Sequence, residues 1–275
     1  YLQESLMKRS ERVSAIVKIL SDSPNQSYSL GTFCQMFGAA KSSISEDLQA
    51  ARNLLEKMEL GYIETTSGAG GGVRFIPSIS DQAFLALQMD LCEKLKEPAR
   101  QLAGGFLYTS DIMFNARLMK KVAHAFARKF QDSGADYVVT IETKGIAVAT
   151  MVSDLLNIPL VVIRRESKIS EGSTVSINYF SGSSDRVQKM SIAKRAVEPG
   201  SRALIIDDFM RAGGSVKGIA DILTEFDVEI VGTGLIIVTT EPERKTIPEY
   251  SAILYLAGID PEKKELKVFQ NIQFF

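Results

Sequence analysis

The chain has 275 residues, room for two domains at the usual ~100–200 residues each, with 45% hydrophobic and 24% charged residues and a formal net charge of -1. No run approaches the ~20 apolar residues of a membrane span. One histidine and two cysteines exclude multi-histidine metal sites and CxxC chemistry. No secretory signal pattern is visible, so a cytoplasmic location is expected, with Cys34 and Cys92 as buried free thiols.

The first 78 residues read as a unit of their own. "SERVSAIVKILSDSP" sets Val13, Ile16, Val17 and Leu20 at helical spacing and stops before Pro24. "SLGTFCQMFGAA" predicts a second short helix closed by Gly38. "KSSISEDLQAARNLLEKMELG" opens on a capping-box pattern from Ser43 to Glu46 and stacks Ile44, Leu48, Ala51 and Leu55 on one face, with Gly61 as its stop. "YIETTSGAGGGVRFIPS" reads as two β-prone runs around a glycine-rich turn, a hairpin. Three helices and a closing hairpin make a winged helix-turn-helix, whose third helix would enter a DNA major groove.

The expected DNA contacts are Lys41, Ser42, Ser43 and Ser45 at the start of that helix, Arg52 further along it, Arg74 in the wing, and Lys8, Arg9 and Arg12 on the first helix. The charge balance is neutral here: eight Lys or Arg (8, 9, 12, 18, 41, 52, 57, 74) against eight Asp or Glu (4, 11, 22, 46, 47, 56, 59, 64). Any field able to hold phosphate must come from clustering of those cations, or from a dimer that doubles it.

Residues 79 to 275 form the second domain, beginning with a linking helix to about residue 102. His124 lies in the amphipathic "LMKKVAHAFARKF" and reads as structural or surface. Apolar strands then alternate with helices: "ADYVVTIE", "GIAVATMVSDLLN", "IPLVVIRRE", "SRALIIDDF", "SVKGIADILTEF" and "EIVGTGLIIVTT". That alternation predicts a parallel sheet with flanking helices, an α/β fold that binds ligands at the carboxyl ends of its strands.

The chemistry concentrates in "ALIIDDFMRAGGSV", residues 203–216. Glycines bring backbone N–H groups close to an anion and the following helix adds its positive end, so Ala212, Gly213, Gly214 and Ser215 suit a phosphate. Asp207 and Asp208 would repel phosphate; they suit the vicinal hydroxyls of a ribose, or a hydrated Mg²⁺ bridging to it. Together the string describes a ribose 5-phosphate site, and its glycine spacing matches neither a Rossmann fingerprint nor a P-loop.

The stretch "LIIDDFMRAGGSV" resembles the ribose-phosphate signature of the type I phosphoribosyltransferases, over about residues 104–275. The resemblance implies 5-phosphoribosyl 1-diphosphate (PRPP) as ligand, held by Asp207, Asp208, Phe209, Met210, Arg211, Ala212, Gly213, Gly214 and Ser215. It implies a diphosphate loop at Glu142, Thr143, Lys144 and Gly145, with Arg164 and Arg165 facing the same anion. The segment 167–196, which carries Tyr179, Phe180, Ser183 and Ser184, matches the mobile lid, and Ser183 and Ser184 are expected ligand contacts.

Taken with "AKSSISEDL", "GAGGGVRFIP", "TKGI", "EGSTVSINY" and "SGSS", the chain is similar along most of its length to the bacterial purine operon regulators, which fuse a winged helix to a phosphoribosyltransferase-like domain. That resemblance implies a homodimer that binds operator DNA and takes PRPP, with or without Mg²⁺, as effector and not as substrate; no cofactor is required and no catalytic residue is expected. Two alternatives stand beside it: a catalytically active xanthine or hypoxanthine phosphoribosyltransferase, and an interaction module with both motifs vestigial.

Overall fold

A computed structural model describes residues 7–68, 71–102, 106–166, 172–181, 186–259 and 266–275. The chain divides into two compact units, one built on Tyr1–Ser80 with Asp154–Asn157 and the other on Asp81–Ser153 with Ile158–Phe275.

The first unit comprises α1 (Arg9–Asp22), α2 (Leu30–Phe37), α3 (Lys41–Lys57), β1 (Gly61–Thr66) and β2 (Gly72–Pro77). Ile16, Leu20, Phe33, Ile44, Leu48, Ala51 and Leu55 converge into one apolar core with Ile63, Val73 and Phe75 from the hairpin. Gly38, in the left-handed conformation at φ 60°, ends α2 and lets the chain turn into α3 within three residues. β1 and β2 pair antiparallel from Gly61↔Pro77 to Thr66↔Gly72, and Tyr28 adds a one-residue bridge to Val73.

Two local expectations are corrected. α3 begins two residues before Ser43: its N-cap is Ala40, and the Ser45 hydroxyl donates back to the Lys41 carbonyl, so the Ser43–Glu46 spacing is helix interior and not a capping box. The helix also stops at Lys57, short of Gly61, because Glu59 turns the chain at φ 55°; Gly61 opens the hairpin instead.

The second unit opens with α4 (Asp81–Leu95), which ends seven residues before the expected boundary as the chain meets a 3₁₀ turn at Pro98–Arg100. There follow β3 (Gln101–Leu102), β4 (Phe106–Leu107), α5 (Ser110–Met113), α6 (Ala116–Phe130), β5 (Tyr137–Ile141), α7 (Gly145–Leu156), β6 (Leu160–Ile163), β7 (Thr174–Ser181), β8 (Arg186–Ala193), β9 (Arg202–Met210), α8 (Gly214–Thr224), β10 (Glu229–Thr239), β11 (Ser251–Ile259) and β12 (Leu266–Gln270).

The main sheet has the order β12-β11-β10-β9-β5-β6, parallel except for the β11–β12 pair. Its strands are apolar on both faces, as a sheet covered on both sides requires. On β9, Ala203 and Ile205 join a core that includes Val216, Ile219 and Ile222 of α8, whereas Leu204 and Ile206 stand beside Phe130 and Phe126 of α6. β7 and β8 form a separate antiparallel ribbon, with Val175, Ile177 and Tyr179, at a spacing of two, packed into the α8 core.

Candidate functional site

The strand order reverses at β5: the chain runs outward to β6 on one side, then returns to β9 on the other. The crevice beyond the carboxyl ends of β5 and β9 is therefore a topological switch point, where open α/β sheets bind their ligands. The two loops singled out in the sequence leave those two strand ends, Glu142–Lys144 after β5 and Arg211–Gly213 after β9.

Asp207 sits in this crevice and is buried; Asp208 is half-buried. The Asp207 Oδ1 accepts the Asp208 backbone N–H at 3.0 Å, which orients the Asp207 carboxylate against its own strand. Burial pushes the Asp207 carboxyl well above the ordinary carboxylate range, reinforced by the neighbouring Asp208 charge and opposed by Arg165. Asp208 is also raised, first by burial, with the Lys144 ammonium among the groups that oppose it. A pair of this kind is costly to keep charged without partners, and groups that donate to carboxylates, or a cation, would relieve the cost.

Gly145 backs the pair. A Cβ there would collide with Asp207 Oδ1 and lie 2.5 Å from Thr140 Oγ1, so only glycine lets the first turn of α7 approach β9 this closely. The Thr140 hydroxyl is buried with no hydrogen-bond partner among the described residues.

Lys144 projects from the same loop and donates to Thr109 Oγ1 at 3.0 Å. Thr143 is exposed. Glu142 has a supporting position: its carboxylate accepts the Arg165 backbone N–H at 2.7 Å and lies 3.5 Å from the Arg164 guanidinium, tying the end of β6 to the loop.

At the end of β9, Met210 belongs to the core and Phe209 is half-buried, while Arg211 beyond it is exposed. Gly213 takes φ 93° and forms the N-cap of α8, with Gly214 and Ser215 as its first residues. The opening N–H groups of a helix have no intrahelical acceptor, which suits them to an anion. The loop is propped from behind by Thr246, whose backbone N–H and hydroxyl both donate to the Ala212 carbonyl at 2.9 and 3.1 Å, and by Thr239, which donates to the Arg211 carbonyl. Thr246 also lines a cavity of about 480 Å³ together with Lys245, Ile247, Pro248 and Tyr250.

Ser183 and Ser184 lie outside the described residues, as does the rest of 182–185. What is described of the expected lid is the β7–β8 ribbon: Tyr179 is buried with its hydroxyl donating to Gln188, and Phe180 is exposed.

On the first unit, Lys41, Ser42 and Ser45 are exposed at the N-terminal end of α3 and Ser43 is half-buried. Several of the other cations are engaged within the fold. Arg12 donates to the buried Asp47 at 2.7 Å and to the Met7 carbonyl, and Arg9 lies 3.5 Å from the same carboxylate. Arg52 donates to the Ile63 carbonyl and Thr65 hydroxyl, which fastens α3 to the wing, and Arg74 pairs with Glu64 across it. The Lys8 backbone N–H donates to Glu11, and its side chain stays exposed.

Comparison with known proteins places both units. Residues 8–77 match the N-terminal domain of the bacterial purine repressor and residues 109–258 match the phosphoribosyl transferase domain. Over 95% of this chain and 96% of the relative's length, it is 41% identical to the probable purine biosynthesis transcriptional regulator PurR of Streptococcus pneumoniae. The chain belongs to this family of bacterial purine biosynthesis transcriptional regulators. Other members include the repressor of Bacillus subtilis, 38% identical over 97% of this chain and 93% of its own, and the activator of Lactococcus lactis, 37% identical over 95% and 97%. The family's second domain has the phosphoribosyltransferase fold: adenine phosphoribosyltransferase from Thermoanaerobacter pseudethanolicus superposes with a TM-score of 0.52 at 16% identity, over 60% of this chain and 97% of that one. The first domain is its DNA-binding part, and among the described residues no helix is long and apolar enough to cross a membrane.

Thr109, Thr140, Thr239 and Thr246 were not readable as site residues. Each is a threonine in an ordinary context, tied to the site's loops by contacts that span 28 to 35 residues or placed on an inner strand.

Proposed function

We propose that this regulator gauges PRPP at the β5–β9 crevice and transmits the reading to operator binding by its winged helix, as a cytoplasmic homodimer and without catalysing transfer. The observation that carries the proposal is the convergence, at one switch point, of an acid pair, Asp207 buried and Asp208 half-buried, with two loops suited to phosphate. Ribose hydroxyls donating to Asp207 and Asp208, with or without Mg²⁺, would relieve the buried charge. The 5-phosphate would take the α8 N-terminus at Gly213–Ser215, and the diphosphate would take Lys144 and the amides around it.

The absence of catalysis is supported by how the expected lid is used. A transferase must close a cover that excludes water and supplies charge to the departing diphosphate. Here Val175, Ile177 and Tyr179 of the ribbon are committed to the α8 core, which ties this part of the segment to the fold.

On the first unit, Lys41, Ser42 and Ser45 are the contacts that the geometry favours, because their side chains are exposed at the helix end that would enter the groove. Titrating PRPP into the protein calorimetrically, with and without Mg²⁺, tests binding; following diphosphate release with xanthine or hypoxanthine tests catalysis. Binding without turnover is expected. Robust turnover that vanishes in Asp208→Asn would establish the transferase instead.

A further inference from the structure

The segment after β10 is stapled to itself and holds one carbonyl of the phosphate loop. Lys245 is half-buried and turns its ammonium inward, where it donates to the main-chain carbonyls of Thr239 and Pro242, each at 2.6 Å. The Thr239 hydroxyl donates to the Glu241 carbonyl at 2.6 Å and reaches the Arg211 carbonyl at the longer distance of 3.3 Å. This staple delivers Thr246 to the turn after β9. There its backbone N–H and its hydroxyl converge on a single acceptor, the Ala212 carbonyl, at 2.9 and 3.1 Å. The hydroxyl also closes on the next residue, since a Cβ on Gly213 would lie 2.7 Å from it.

That contact decides which way the neighbouring amide faces. The Ala212–Gly213 peptide is trans, and in a trans peptide the C=O and the following N–H point in opposite directions. With the Ala212 carbonyl turned to the segment that follows β10, the Gly213 N–H points away from it, and that N–H has no acceptor among the described residues. β9 lies between β10 and β5, so the side away from β10 is the side of the crevice. Without a lock this peptide is free to turn over. Gly213 sits at φ 93°, and glycine tolerates either sign of φ, so rotating the peptide plane would present a carbonyl oxygen in place of the N–H at little steric cost. A carbonyl oxygen repels an anion.

We infer that Thr246 is a positioning residue for the 5-phosphate: by holding the Ala212 carbonyl it keeps the Gly213 N–H aimed into the crevice at the α8 N-terminus. Its hydroxyl is engaged with the main chain and acts through the amide it orients. The donor is fixed before the anion arrives, which removes an ordering cost from binding. The diphosphate end belongs to the Glu142–Lys144 loop, with which Thr246 makes no hydrogen bond among the described residues, so the effect is confined to one end of the ligand. The inference rests on the PRPP reading of the crevice.

The test uses the full chain in Mg²⁺ buffer, with PRPP binding read by calorimetry, and with ribose 5-phosphate and inorganic diphosphate each read by displacement of PRPP. Thr246→Val keeps the side-chain shape and the backbone N–H and removes only the hydroxyl. It should weaken PRPP and ribose 5-phosphate by roughly 5-fold, the loss of one neutral hydrogen bond, and leave diphosphate unchanged. Thr246→Ser restores the hydroxyl and should restore the affinity. Thr224→Val removes a comparable hydroxyl-to-carbonyl bond, to Ala220 at the far end of α8, and should change none of the three. Unchanged PRPP and ribose 5-phosphate affinity in Thr246→Val, an equal loss for diphosphate, or no recovery in Thr246→Ser overturns the inference while the PRPP site stands. A wild type that does not bind PRPP overturns the site itself.

Discussion

Gly145→Ala adds one methyl group at the most crowded point of the crevice. The new carbon would fall 2.5 Å from Thr140 Oγ1 and 3.2 Å from the carboxylate carbon of Asp207, with Oδ1 nearer still. Neither neighbour can withdraw easily: both side chains stand on inner strands of the sheet, Thr140 fully buried and Asp207 only 4% exposed. The strain must be relieved by moving α7 outward or by turning the Asp207 carboxylate. Overpacking of this sort costs about 1–3 kcal/mol. For a unit of this size that is a fall in melting temperature of about 2–4 °C per kcal/mol. The Glu142–Lys144 loop leads directly into the displaced turn, so PRPP affinity should fall together with stability. Differential scanning calorimetry and PRPP titration on the same preparation read both. A Gly145→Ala protein with wild-type melting temperature and wild-type PRPP affinity would refute the close approach and the role assigned to the loop.

Three other outcomes are expected. Because burial raises the Asp207 carboxyl, the folded protein holds that proton more tightly than the unfolded chain, and stability falls as pH rises from the ordinary carboxylate range through the raised value; Asp207→Asn should flatten this dependence in thermal melts and be the more stable protein above that window. Asp47→Ala leaves Arg12 without its buried partner and should cost ~3 kcal/mol of first-unit stability, at the low end for a broken buried pair because the Arg12 side chain keeps some contact with solvent, with a loss of operator affinity but no loss of salt slope. Lys41→Ala with Ser42→Ala and Ser45→Ala should weaken operator binding several-fold while calorimetric PRPP affinity stays at the wild-type value.

Much of this architecture is legible in the chain itself. The β9–α8 stretch declares its strand by an unbroken apolar run, its turn by adjacent glycines and its chemistry by two acids placed between them. The helices of the first unit show in the spacing of Ile16, Leu20, Ile44, Leu48 and Leu55, which the fold buries. Periodicity states which face is buried and not which partner it meets, so the Arg12–Asp47 pair, 35 residues apart, is invisible at that level. The same limit left Arg52 and Arg74 looking like free cations.

Elsewhere a local pattern had two physical readings. Ser43 and Glu46 have the capping-box spacing, yet the short turn after Gly38 forces the helix to begin at Lys41. Segment 167–196 takes its lid reading from its resemblance to the phosphoribosyltransferases, and within it the alternation of Val175, Ile177 and Tyr179 is also the signal of a strand half-buried against α8. The Thr246 prop needs the tertiary fold, since nothing in the 240–250 loop points to the Ala212 carbonyl.

The central claim is that the crevice and the winged helix are coupled. The direct test is the affinity of the wild-type protein for purine-promoter DNA with and without saturating PRPP, repeated with Asp207→Ala and Asp208→Ala combined. Coupled sites predict a PRPP-dependent change of about 5- to 150-fold in the wild type, abolished in the double variant while DNA binding itself persists. Equal DNA affinity with and without PRPP, in a protein that binds both ligands, would contradict it.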